Sequence, residues 1–418
     1  MTMIAKRDGR EMPFDRKKIE AAIVKCGFVE LAAKELTDVV IAGLPVIGLT
    51  VEVVQDHVEQ TLMSAGYYSE AKAYILYREQ RRKVRVPPCK EVSESYIAKY
   101  PVFEQLADQQ AVEFYWTHVS IDLEQDIPDF HAMPRSMQRC VSYAQKAFVH
   151  YEGLIGEEYW TGRWMRIFKR HEFRRWGAVA GAIEAQVHAP FYRKLNVLMN
   201  LETDEFYSAY KLDPSLRERM RHVQTLIAGD NDLVSIAAFT LLEGVALFSL
   251  FAFFKSFQAN GHNSLAKFVS GINLSARDEQ LHAQAGAEAF KILRAESALT
   301  SSEDLVLVGA VSDVMDTLLA HEQAIIATMY ELSGTIEING LLEGELYDFV
   351  CDRAEIVLRL LGLGNSIQPA YAGKPTINAW FYDAIDSYQV TDFFKTKPRE
   401  YSHKWKREAL AWVRGDKL

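Results

Sequence analysis

Glu279 and His282 stand three residues apart in the segment Ser275-Ala-Arg-Asp-Glu-Gln-Leu-His282. On an α-helix such residues are neighbours, about 60° around the axis and about 4.5 Å along it, so carboxylate and imidazole converge on one point. A Glu-x-x-His pair projecting into a helical bundle, joined by lone carboxylates from other helices, is a way to hold two metal ions. The pair alone is a weak signal, because most such spacings are solvated surface pairs. Glu243 strengthens it, being the one ionisable group between Leu233 and Phe254. An unpaired carboxylate costs several kcal/mol to bury, so such groups are neutralised, paired or bound to metal. The bland alternative is a protonated or hydrogen-bonded core glutamate.

A second pair is Glu184 and His188, four apart in Gly181-Ala-Ile-Glu-Ala-Gln-Val-His188. On an α-helix they stand about 40° apart and can face one ion, whereas Gln186 points away from both. His188 by itself would more often be a core histidine. Asp122 completes the candidate set, although Asp126 and Asp129 are also acidic and the segment also reads as a solvated loop. The carboxylates Asp122, Glu184, Glu243 and Glu279 with His188 and His282 make a mixed oxygen and nitrogen set suited to iron or manganese.

Long helices must position these groups. Residues 1 to about 86 read as a small α/β module. It opens with two short strands within Met3–Phe14 around Arg7-Asp8-Gly9-Arg10, followed by helices at Arg16–Cys26 (Asp15 as N-cap), Leu31–Ala42, Thr50–Ala65 (Thr50 as N-cap) and Ser69–Lys83. The basic run Arg78–Arg85 ends at Pro87-Pro88, which marks a boundary at about 86–95. Beyond it the pattern is almost wholly helical: Val102–Tyr115, Met133–Glu152, Glu157–Leu201, Leu212–Ala228, Asp232–Ala259, His262–Ser297, Ser302–Leu332 and Gly340–Leu361. The fold class is therefore mainly α, a ferritin-like bundle over 95–375 behind the α/β module, with an irregular tail over 376–418.

The composition bounds the rest. The 418 residues, 49% hydrophobic and 25% charged, suit a soluble globular protein with a sizeable core, and a net charge of −9 argues against nucleic acid as partner. The four cysteines lie far apart without a C-x-x-C pair, which fits a reducing, cytoplasmic setting. The N-terminus carries charge from Lys6 onward and has no apolar signal region. The apolar stretch Leu233–Phe254 is long enough to span a bilayer, but no basic flank or aromatic belt frames it, so it reads as a buried bundle helix.

As a set, these motifs resemble the small, radical-generating subunit of class I ribonucleotide reductase. Phe239-Thr-Leu-Leu-Glu243-Gly is similar to that family's helix with a lone bridging glutamate, and Ser275–His282 to its S-R-D-E-x-x-H helix. Phe114-Tyr-Trp-Thr-His-Val-Ser-Ile-Asp122 resembles its F-W-T-x-E-E-I-D segment, which implies that Asp122 is the metal aspartate. His188-Ala-Pro-Phe-Tyr192 resembles the histidine followed four residues later by the radical tyrosine, and Thr391-Asp-Phe-Phe…Arg399-Glu-Tyr401-Ser resembles the family's tail. The front module is similar to an ATP-cone, a regulatory domain for ATP or dATP. The likeness rests on Lys6-Arg7-Asp8-Gly9, Phe14-Asp15, Lys18-Ile19, Thr50-Val51-Glu52, Ala73-Tyr74-Ile75 and Tyr77-Arg78. It implies an effector site that includes Lys6, Arg7, Lys18, Thr50, Val54 and Arg78, and basic groups at a turn and a helix N-terminus suit a triphosphate.

Three features depart from the family pattern. The first ligand pair is Glu-x-x-x-His, whose extra residue a π-bulge would absorb. The radical-transfer tryptophan upstream of the metal aspartate is missing: Lys99-Tyr-Pro-Val-Phe103 has none, and Trp116 sits at the F-W-T position. Tyr192 permits a tyrosyl radical without requiring one.

The resemblance implies an oxygen-activating two-metal centre (iron, manganese or both) that stores an oxidising equivalent, with Asp278 orienting a ligating histidine and Tyr401 relaying to a large catalytic subunit. It also implies allosteric control through ATP or dATP and a homodimer or higher oligomer. The competing expectations are a ferritin-like oxidase or oxygenase with its own substrate and, in another class, a non-catalytic nucleotide sensor or metal-storage protein.

Overall fold

The structure is a computed structural model and describes residues 3–5, 11–45, 48–84, 86–371 and 373–386. The chain forms two compact units, Met1–Cys89 with Ala295–Ala298, and Lys90–Arg294 with Leu299–Leu418.

In the first unit, β1 (Met3–Ala5) pairs antiparallel with β2 (Glu11–Pro13), Ile4 opposite Met12. Four helices follow: α1 (Lys17–Val24), α2 (Glu30–Ala42), α3 (Val51–Ser64) and α4 (Tyr68–Val84). The Asp15 carboxylate accepts from the Lys17 amide at 3.1 Å, and the Thr50 hydroxyl caps α3 by accepting from the Val53 amide at 3.2 Å. Val54, Val58 and Leu62 recur every fourth residue on α3 and are buried with Ile4, Ile19, Ile23 and Val40.

The second unit is helical: α5 (Val102–Asp108), α6 (Ile127–Ala132), α7 (Arg135–Leu154), α8 (Trp164–Ile167), α9 (His171–Ile183), α10 (Ala189–Leu198), α11 (Asp204–Ser208), α12 (Pro214–Ala228), α13 (Asp232–Val245), α14 (Phe248–Lys255), α15 (Ala266–Glu296), α16 (Ser301–Ser333), α17 (Glu343–Leu360) and α18 (Ile377–Asp386). Thr300 and Glu303 form a reciprocal capping box that starts α16. The short hairpin Glu337–Ile338 with Leu341–Leu342 turns at Asn339-Gly340, both at positive φ, a turn the helical reading of Gly340 onward overlooks.

Two long helices expected from the sequence are interrupted. The stretch 157–201 contains a π-helix at Ile155–Arg163, a break where Phe168 is extended, and a second π-helix at Glu184–His188. The Trp164 indole donates to the Phe173 carbonyl at 2.8 Å across that break. The stretch 232–259 breaks between α13 and α14, where Leu247 takes the left-handed conformation at φ 70°. Asp232–Gln258 is apolar enough to cross a membrane by length and composition, yet its apolar window lies wholly inside the bundle, so its hydrophobicity serves the core. The irregular tail expected from 376 instead begins as helix α18, packed on α14 and α17.

Candidate metal centre

Five of the six ligands expected from the sequence meet in the bundle core, and a glutamate that the sequence reading passed over joins them. Glu152 on α7, Glu184 and His188 on the second π-helix, and Glu279 on α15 form one group; Glu184, Glu243, Glu279 and His282 form the other. Glu184 and Glu279 belong to both, so the two groups share an edge of carboxylates. All six side chains are buried.

The geometry around each imidazole is informative. His188 Nδ1 lies 2.9 Å from Glu184, 3.2 Å from Glu279 and 3.9 Å from Glu152. His282 Nδ1 lies 2.8 Å from Glu184, 3.3 Å from Glu243 and 3.4 Å from Glu279. One ring nitrogen carries at most one hydrogen, so it cannot satisfy three carboxylates. Buried oxygens of Glu152 and Glu279 and the Nε2 of His282 have no hydrogen-bond partner. Three oxygens converging with one nitrogen is the arrangement of a cation's ligand shell, and it occurs twice. Charge agrees: four carboxylates with two neutral imidazoles are balanced by two dications.

The buried charges of the two groups act strongly on one another. Burial, then repulsion from Glu184, pushes the Glu152 carboxyl well up; burial, then Glu279, does the same to Glu243. Burial also opposes charge on Glu184, but His188 and His282 outweigh it and hold that carboxyl down. Both imidazoles resist burial's downward push and are raised, with Glu184 the principal cause.

Local structure explains the convergence. Glu279 and His282 sit on unbroken α-helix, three residues apart. Glu184 and His188 sit on a π-helix, whose wider turn brings the fourth residue onto the side where an α-helix carries its third. The first π-helix packs closely on the second and on the end of α9: a Cβ on Gly156 would lie 2.8 Å from the Glu184 Cβ, and one on Gly181 of α9 2.5 Å from the Thr161 methyl. Trp160, on the first π-helix, donates its indole N–H to Glu243 at 3.0 Å.

The structure sets Asp122 apart from the other expected ligands. It is solvent-exposed and accepts from the Gln125 side-chain amide at 2.7 Å, outside both groups. Glu152 of α7 is the carboxylate that completes the first group. The signal for Glu152 was its position four residues after the core residue Phe148 and three before the core residue Ile155, an acid on an apolar helical face.

Asp278 is fully buried. It accepts from the Trp116 indole at 2.7 Å and lies 3.2 Å from His188 Nε2. Burial opposes its charge, but the His188 contact and Arg277 hold its carboxyl below the usual range. Trp116 thus reaches the centre from the loop that also carries Asp122. Tyr192 is buried, stacked on Phe148 at 4.3 Å between ring centres, with its hydroxyl 2.8 Å from that of Ser275.

In the first unit, Thr50 is spent as a cap and Val54 belongs to the core. Lys18 is exposed, and Arg78 pairs with Asp56 at 2.7 Å and Glu59 at 2.8 Å. Lys6, Arg7 and Tyr401 lie outside the described residues.

Fold and site together define a ferritin-like helical bundle built around a carboxylate-rich two-metal site, preceded by a small strand-and-helix domain. Residues 95–368 match the family model of the ribonucleotide reductase small chain, and residues 2–83 match the ATP cone domain; the chain belongs to the ribonucleotide reductase small-chain family. A ferritin-like oxidase with its own substrate is not favoured.

The bundle resembles the dimanganese(II) NrdF of Streptococcus sanguinis, with a TM-score of 0.59 at 19% identity over 71% of this chain and 99% of that one. It also resembles the Rnr4 homodimer of Saccharomyces cerevisiae, with a TM-score of 0.56 at 13% identity over 72% and 90% of the two chains. A stretch of 98 residues is 40% identical to the vitamin B12-dependent ribonucleoside-diphosphate reductase of Thermoplasma acidophilum, covering 20% of this chain and 12% of that protein. Another, of 110 residues, is 32% identical to the ribonucleoside-diphosphate reductase subunit alpha of Chlamydia pneumoniae, covering 22% and 10%. The matched stretches span only about an eighth or less of those two curated relatives.

Proposed function

We propose that the chain holds two metal ions, iron or manganese, one by Glu152, Glu184, His188 and Glu279 and the other by Glu184, Glu243, Glu279 and His282. Ions of this kind supply oxygen activation and one-electron redox chemistry when bound. The observation that carries the reading is the double convergence of three carboxylates on one imidazole nitrogen.

The protein's own groups give that chemistry a direction. Asp278 orients His188 and holds it in register with the Trp116 indole, a continuous polar contact from a ligand to an aromatic ring 6% exposed. Trp116 therefore replaces the upstream tryptophan of the family pattern as the electron relay. Tyr192 is the residue that holds the oxidising equivalent; in its reduced form the phenol hydroxyl is hydrogen-bonded to Ser275 at a position closed to water. The equivalent passes through Trp116 and Tyr401 to a large catalytic subunit that reduces ribonucleotides. ATP and dATP, bound by the first unit, control assembly of a homodimer into larger species.

The test is metal analysis with electron paramagnetic resonance of the oxygen-exposed protein, before and after Tyr192→Phe. Two ions per chain and a tyrosyl signal abolished by the substitution are expected. Less than one ion per chain, with neither a radical nor a mixed-valent signal, overturns the reading.

A further inference from the structure

Helix α13 ends two residues after Glu243, in the fully buried interior of the bundle. Ending a helix there frees carbonyls that water cannot reach, and each must find a donor. Arg353 of α17 supplies two to one of them, Nε at 3.0 Å and Nη2 at 2.9 Å from the Gly244 carbonyl. Its guanidinium also lies 4.0 Å from the ring centre of Phe248, the first residue beyond the break. Arg353 therefore grips both sides of the interruption. The fit is close, since a Cβ on Gly244 would lie 2.4 Å from Val357 of α17.

The remaining nitrogen of that guanidinium, Nη1, lies 3.5 Å from the Gln280 side-chain oxygen of α15. Arg353 Nη1 donates to the Tyr382 hydroxyl of α18 at 3.1 Å. The same helix is held by a second buried basic side chain: Lys255, in α14 beyond the break, donates to the Phe381 carbonyl at 2.7 Å and to Asn273 at 2.5 Å. The segment α18 is thus fastened to α14 and, through Arg353, to the carbonyl next to Glu243.

We propose that Arg353 is a positioning residue for Glu243, and that docking of α18 through Tyr382 sets the position. The inference rests on Glu243 being a metal ligand. Its consequence is that a partner pulling on the chain beyond α18 changes one metal position, the Glu243–His282 group, and leaves the Glu152–His188 group alone.

The test is equilibrium titration of the metal-free full chain with Mn2+, together with visible absorption of the Co2+-loaded chain, for the parent, Tyr382→Phe and Arg353→Lys. Both variants should weaken one of the two ions by on the order of tenfold, the range seen when a ligand's supporting hydrogen bond is lost, with a changed Co2+ spectrum. The control is Asn378→Ala, which removes a different α18 anchor, its 2.9 Å bond to Asp352, and should leave both readouts at parental values. A parent that binds no Mn2+ sinks the metal reading and this inference with it. A parent that binds two ions, with Tyr382→Phe unchanged, overturns this inference alone; so does equal weakening of both ions, or an equal effect of Asn378→Ala. Tyr382→Phe removes a single hydroxyl and keeps the test informative if Arg353→Lys does not fold.

Discussion

Two of the four helical segments that carry the clustered side chains do one job with two geometries. On α15, Glu279 and His282 follow the ordinary α-helical rule, and the three-residue spacing alone makes them neighbours. On the other side, Glu184 and His188 are four apart and face the same carboxylate cluster because a π-turn takes up the additional residue. A spacing motif is therefore legible only to the extent that the local helix type is known. The π-turn also has a requirement of its own: a glycine on the helix opposite, Gly156, to admit the Glu184 Cβ. The α15 half carries its pair on unbroken helix, whereas the π-helical half relies on a close fit between two distorted segments.

The sharpest test of this shared duty is at the residues common to both groups. Glu279→Ala on the regular helix and Glu184→Ala on the π-helix should each lower manganese from two ions per chain to less than one. Metal analysis after dialysis reads this directly. If either variant keeps two tightly held ions, the shared edge between the groups is wrong.

The next effect separates Glu152 from Asp122. Glu152→Ala should lose one ion of the two and keep the other, while Asp122→Asn should keep both with a melting temperature within a few degrees, as expected of an exposed group. Sequence reasoning preferred Asp122 because a family motif pointed there, whereas Glu152 sits in a segment with no motif beyond an acid among apolar neighbours. Glu279, His282 and Glu243 were legible because local physics decides them: an α-helical spacing, and a lone charge in an apolar run. The bundle and most helix boundaries were legible for the same reason. The breaks at Phe168 and Leu247 were not, since they depend on tertiary partners, the Trp164 indole at one and Arg353 at the other. Trp116 was found in sequence but its use was not, because its contact with Asp278 joins residues 162 positions apart.

A smaller effect is expected from removing the extra residue itself. Deleting Gln186 converts the pair to Glu-x-x-His and the π-turn to ordinary helix, with the flanking α9 and α10 still in phase. The variant should fold, bind two ions and lose little stability, on the order of 1–2 kcal/mol or less, since one insertion is all the π-turn accommodates. Loss of one ion on deletion would mean that the four-residue spacing is intrinsic to the site, and the two helices would not be equivalent.

The smallest effect comes from carrying the comparison to histidines outside the centre. His188 and His282, surrounded by carboxylates, are pushed up, whereas His222 and His321, with rings 5.7 Å apart near Arg219 and Arg221, are pushed down. Burial first and then Arg219 lower His321 from 6.5 to about 4. Its folded form therefore takes up a proton later than its unfolded form as the solution is acidified. Above pH 6.5 both forms are neutral and the group contributes nothing to pH dependence. Between pH 6.5 and 4 the unfolded chain binds the proton first and stability falls; below pH 4 the loss is complete. His321→Gln should accordingly narrow the drop in melting temperature between pH 7 and pH 5, measured by calorimetry on the metal-free chain. His321 is partly exposed, so solvent screens part of the shift and the narrowing should amount to no more than a few degrees. An unchanged drop would mean that water reaches this histidine pair freely, and that the contrast with the buried pair at the centre is one of access rather than of neighbouring charge.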